Sequence, residues 1–150
     1  MPKLDPTAPI VQHRLAQKAR LVPQSQRITQ LPRLFGTRSM LLVENALYRM
    51  ADRCLPEYKG AYWEMVRTDA GGFYMFPDQA GKWKVFIEGN GYSGEVSPDA
   101  AGVIVCSMLY SHLSAQSEGA LQETLIKLYD HLRDYAREHP EAGDIYSALD

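Results

Sequence analysis

The sequence predicts a single α+β domain: a small antiparallel sheet of three strands, or four if a short segment at 93–96 joins, packed with about four helices. Three observations carry this. Apolar residues recur at steps of three and four between Met40 and Cys54. Aromatic and β-branched residues between 61 and 89 are cut by turn-forming clusters, and after Pro98 the pattern is helical to residue 150. With 150 residues, 45% of them hydrophobic and 23% charged, the chain fits one core.

The first element is an arm. Residues 1–30 are rich in Pro and Gln and are expected to be mobile or loosely docked, with one short helix from Val11 to Leu21. Residues 1–38 carry seven Lys/Arg against one acid, Asp5, and the remaining 112 residues then hold a net charge of −8. A basic arm thus leads into an acidic body. Clustered cations suit phosphates or an acidic partner, so one reading is a weak nucleic-acid contact through the arm; a solubilising tail is the other.

From residue 31 the domain begins. In "TRSMLLVENALYRMADRCLP", Met40, Val43, Leu47, Met50 and Cys54 form one apolar helical face, Thr37 or Ser39 supplies a cap, and Pro56 forbids continuation. Strands follow at about 61–68, 72–77 and 82–89, with Asp69–Gly72 and Asp78–Gly81 as two hairpin connections. Alternation in "KWKVFIE" sets Trp83, Val85 and Ile87 on one side and Lys84, Phe86 and Glu88 on the other.

Gly89-x-Gly91-x-x-Gly94 has the spacing of a dinucleotide-binding turn. In such a turn the last glycine already lies in a helix whose N-terminus meets the pyrophosphate. Here the next helix is fixed later, by Ser97 as cap and Pro98 at its first position, and no second strand with an acid follows. No cofactor is expected. Asn90-Gly91 reads as a tight turn, and Gly94 as a bulge or close approach.

"PDAAGVIVCSMLYSHLSA" is apolar nearly all round and is expected to be a central helix, with Gly102 permitting close packing. Leu121, Leu125, Leu128, Leu132 and Tyr135 define the stripe of the next helix, which Pro140 closes, and "DIYSALD" folds back onto the core.

Composition and spacing also exclude. No apolar run approaches the roughly 18 residues of a membrane span, and no signal-peptide pattern opens the chain, so a cytoplasmic location is expected. Cys54 and Cys106 read as buried thiols, and without CxxC or Cys/His pairing no metal site is expected. His13, His112, His131 and His139 stand at no spacing that pairs them with a nucleophile, and a hydrolase would need His112 or His131 to meet an acid in space. DNA mimicry fails on magnitude. A body on the order of 34 Å across matches a duplex length bearing about 20 phosphates, well above a net −8.

The blocks "LPRLFG" (31–36), "YKGAYW" (58–63), "GGFYMFP" (71–77), "GNGYSGEVSPDAAGV" (89–103) and "HPEA" (139–142) together resemble the ArdB/KlcA antirestriction family, over residue 31 to the carboxyl end. The resemblance implies a non-enzymatic factor that relieves type I restriction of unmodified incoming DNA. Its partner would be the restriction enzyme, met directly or through a host factor, and a monomer is expected. Tyr62, Trp63, Phe73, Tyr74, Asn90 and Asp99 are expected to share one interaction face; the alternatives are core for Trp63 and Phe73 and a turn for Asn90.

Overall fold

The computed structural model describes residues 18–150. Strand β1 (Ala19–Leu21) leads through a 3-10 turn (Gln24–Gln26) into helix α1 (Arg27–Cys54). Four strands follow, β2 (Trp63–Thr68), β3 (Phe73–Pro77), β4 (Trp83–Ile87) and β5 (Tyr92–Val96). Helices α2 (Pro98–Ala115), α3 (Gly119–Ala136) and α4 (Ala142–Leu149) complete the chain. The α+β class of the prediction is borne out.

Pairing differs from expectation. The strands make two sheets, antiparallel β1-β2-β3 and the hairpin β4-β5, so the Asp78–Gly81 connection joins separate sheets rather than closing a hairpin. The physical reason lies in α2, which occupies the free edge of β3. Tyr110 Oη donates to the Phe73 carbonyl at 2.7 Å, and the Met75 N–H reaches Cys106 Sγ at 3.3 Å. With those edge groups satisfied by side chains, β4 has no ladder to join.

Gly102 makes this approach feasible, because a Cβ there would lie 2.4 Å from Phe76 Cβ and 2.5 Å from the Met75 carbonyl oxygen. β3 is consequently buried at every residue, whereas β4 alternates buried and exposed as its sequence predicts. α2 itself is capped by Ser97, whose Oγ accepts the Ala100 N–H at 3.1 Å, with Pro98 in its first turn. Among the described residues, no helix is long and apolar enough to cross a membrane.

Three further expectations change. α1 starts ten residues before Thr37; Gly36, at φ 79°, kinks it, and "LPRLFG" with Pro32 and Gly36 reads locally as a break although the chain resumes the helix beyond it. The arm, expected to extend to residue 30, is part of the fold from Ala19 on: Ala19 pairs with Thr68 and Leu21 with Val66, and Ala19, Val22 and Gln30 are buried. The helix expected over Val11 to Leu21 gives way to a strand at its end, and its earlier residues lie outside the described residues. The Asn90-Gly91 turn is present, with Gly91 at φ 75°. Gly94 pairs with Val85 in unbroken register, so the close approach there is not a bulge; the Tyr92 phenol lies across it.

Candidate functional site

The strongest polar constellation begins with Asp99, in the first turn of α2, where the positive end of the helix dipole favours a carboxylate. The side chain is 1% exposed. Its Oδ1 accepts the Tyr74 hydroxyl of β3 at 2.5 Å, and its Oδ2 meets His139 Nε2 at 2.9 Å. His139 follows α3, whose continuation Pro140 prevents, and its Nδ1 accepts the Glu141 N–H at 3.0 Å. That bond assigns the ring proton to Nε2, so the imidazole donates to Asp99. The Tyr135 hydroxyl lies 3.3 Å from that of Tyr74. Glu141 then turns its carboxylate onto the Ser97 N–H at 2.9 Å, beside the Ser97 hydroxyl.

A hydroxyl, a carboxylate and an imidazole in series is the layout of a nucleophile and its base. Burial decides otherwise. Tyr74 is 0% exposed and His139 4%, so no substrate atom can approach either group. Burial first, and then the neighbouring Asp99 charge, push the Tyr74 phenol well above its usual range, which keeps it a hydrogen-bond donor and not a nucleophile. The network fastens β3, the start of α2 and the segment after α3 to one another. Each of its members bonds to another element.

The six residues expected to share a face are not on one. Trp63, Phe73, Tyr74 and Asp99 are buried. Trp63 spends its indole N–H on the Tyr58 hydroxyl at 3.1 Å, and Tyr74 and Asp99 meet in a hydrogen bond. Tyr62 is 52% exposed, with the Arg27 guanidinium 4.8 Å from its ring centre. Asn90 sits at the exposed β4-β5 turn, where its Oδ1 accepts the Tyr92 N–H at 2.8 Å and its Nδ2 donates to the Ala148 carbonyl at 3.0 Å, tying the turn to the end of α4.

Sequence reasoning missed His139, Tyr135 and Glu141. The "HPEA" block holds two of them, yet nothing local indicates that a histidine after one helix meets an acid 40 residues earlier. His112 is exposed and His131 half-buried, and neither makes a hydrogen bond or ion pair among the described residues. Both cysteines are free and buried, and the described residues contain no cluster able to hold a metal ion.

Residues 56–150 match the family model described as "Antirestriction protein". Across 133 residues the chain is 40% identical to the antirestriction protein KlcA of Escherichia coli, which covers 88% of this chain and 94% of that one. It is 34% identical to the putative antirestriction protein YubI of Escherichia coli K12, over 86% of this chain and 93% of the relative. A solved structure, from work on KlcA and ArdB, superposes with a TM-score of 0.81 at 41% identity over 88% of this chain and 94% of that one. Those proteins are described as having a novel fold and antirestriction activity against type I DNA restriction systems in vivo but not in vitro. With a family model over more than half of its length and relatives matched nearly end to end, this chain belongs to the antirestriction protein family.

Proposed function

We propose that this protein relieves type I restriction of unmodified incoming DNA by binding, without catalysis, to the restriction enzyme or to a host factor that controls it. The observation that carries the reading is the match over 88% of the chain, at 41% identity, to a fold whose activity is described in vivo but not in vitro. Activity seen in the cell and not with purified components fits a contact made through a host factor, or one with the enzyme that depends on cellular conditions. Two features of this chain support the non-catalytic part. Its one Tyr–Asp–His series among the described residues is sealed in the core, and the acids of α3 are interleaved with cations: Arg133 lies on the helix, where it pairs with Asp150 at 2.9 Å, and Arg137, just past its end, pairs with Asp134 at 3.3 Å. That balance also disfavours DNA mimicry, which needs a continuous row of unpaired acids.

The test is the plating efficiency of unmodified phage on a host with an active type I enzyme, with and without the chain expressed, and a restriction-null host as control. A rise of orders of magnitude confined to the restricting host is expected. No rise, or an equal rise in both hosts, overturns the reading.

A further inference from the structure

The arginines divide by what they reach. Arg20, Arg27, Arg67, Arg133 and Arg137 each reach an acid or amide side chain. Arg33, Arg38, Arg49 and Arg53 all lie on α1 and make no ion pair or side-chain hydrogen bond among the described residues. Arg49 and Arg53 stand one turn apart, a like-charge spacing that disfavours an isolated helix. Beside them, between α1 and α2, runs a groove of about 240 Å³. Its floor includes Met50 and Leu109, and its rim is Arg49, Arg53, His112 and Gln116. Asp52, on the same stretch of α1, offsets part of the charge. The stripe continues outward through Arg38 and Leu42, both exposed.

We propose that this groove docks an acidic segment of a partner protein, with one apolar side chain on the floor and carboxylates against the Arg49 and Arg53 guanidiniums. The chemistry selects that occupant. A guanidinium fork matches a carboxylate in geometry as well as charge, and arginines beside an apolar hollow are the usual anchors of protein recognition. Duplex DNA fits less well. It is held by about 6–10 phosphate contacts in a typical complex, whereas this rim offers two guanidiniums on a chain with a net charge of −2. The proposal rests on the functional reading above only for the partner's identity, and gives its non-catalytic contact a place.

The test has two arms. In the first, the full chain is titrated with a short synthetic peptide of Glu and Leu, a Gln/Leu copy and a single-stranded oligodeoxynucleotide, while backbone amide NMR shifts are followed. The Glu/Leu peptide is expected to move the amides of Arg49, Arg53, His112 and Gln116, less so at high salt. The double variant Arg49→Glu, Arg53→Glu and the Gln/Leu copy should each weaken binding more than about tenfold. Absent shifts, shifts elsewhere, or binding indifferent to the double variant overturn the proposal; an oligonucleotide that outcompetes the peptide makes the groove a phosphate site and overturns it too.

In the second arm, the double variant and its milder form, Arg49→Gln with Arg53→Gln, are expressed in the restricting host after an unchanged thermal melt. Relief by the wild type and its loss in both variants is expected. Relief equal to wild type removes the groove from the function, while a wild type without relief overturns the functional reading and leaves the first arm to decide the groove.

Discussion

Replacing Gly102 by alanine should destabilise the protein, although Gly→Ala inside a helix ordinarily stabilises by about 1 kcal/mol. A Cβ there would stand 2.4 Å from Phe76 Cβ, 2.5 Å from the Met75 oxygen and 2.6 Å from Phe76 Cα, where ordinary contact begins at 3.4 Å. Two of these neighbours are backbone, so α2 must withdraw from β3 by roughly 1 Å. Such a shift lengthens the Tyr110–Phe73 bond from 2.7 Å and the Tyr74–Asp99 bond from 2.5 Å. Overpacking costs about 1–3 kcal/mol and each weakened buried hydrogen bond about 1 more, so the net loss after the helix gain is about 2–4 kcal/mol. Melting should fall by about 5–15 °C. Gly143, also helical but with nothing within 4 Å of its added Cβ, is the control, and Gly143→Ala should be neutral or stabilising by up to about 1 kcal/mol. Urea unfolding followed by circular dichroism reads both. A Gly102→Ala midpoint at or above wild type refutes the close approach of α2 to β3.

Asp99→Ala removes the acceptor of the His139 Nε2–H and the nearer partner of the Tyr74 hydroxyl, which keeps the Tyr135 hydroxyl at 3.3 Å, and should cost about 1–4 kcal/mol in urea unfolding. Asp99→Asn should cost less, because the Tyr74 hydroxyl can turn to accept the amide N–H. Asn90→Ala removes the turn's bond to Tyr92 and its tie to α4, and a loss of about 1–2 kcal/mol is expected, with faster amide exchange in the last turn of α4. Burial pushes Cys54 up to about 11 and Cys106 up to about 12, both from 9. The folded state therefore holds these protons more tightly than the unfolded chain, and the stability they lend is complete below pH 9 and lost as pH rises through 11 to 12. At a pH about 1.5 units above the unfolded value the two thiols together should lower stability by on the order of 4 kcal/mol. A urea midpoint unchanged between neutral pH and that point would contradict their burial.

Element types were legible where a period was sustained. The alternation of β4, the apolar girth of α2 and the stripe of α3 all come from local spacing, which local physics sets. Pairing was not. Whether β4 joins β3 depends on Tyr110 and Cys106, contributed by a helix 31 or more residues away, taking up the edge of β3. The same distinction separates the site residues. Asn90 as a turn residue is written in its neighbour Gly91, while the burial of Tyr74 and Asp99 and their meeting with His139 are products of tertiary packing. An exposed interaction face was inferred from polar and aromatic character, and packing took four of its six members inside.

The most direct test of non-catalytic restriction relief uses Tyr74→Phe. The change removes the Tyr74 hydroxyl, with its bonds to Asp99 and Tyr135, and the ring still fills its place. The plating efficiency of unmodified phage on a type I restricting host is compared for wild type and variant, with the folded protein level measured in each. Relief by the wild type and equal relief per folded molecule by the variant is the predicted result. Loss of relief by orders of magnitude in a variant that remains folded would show that Tyr74 acts chemically and would contradict the account.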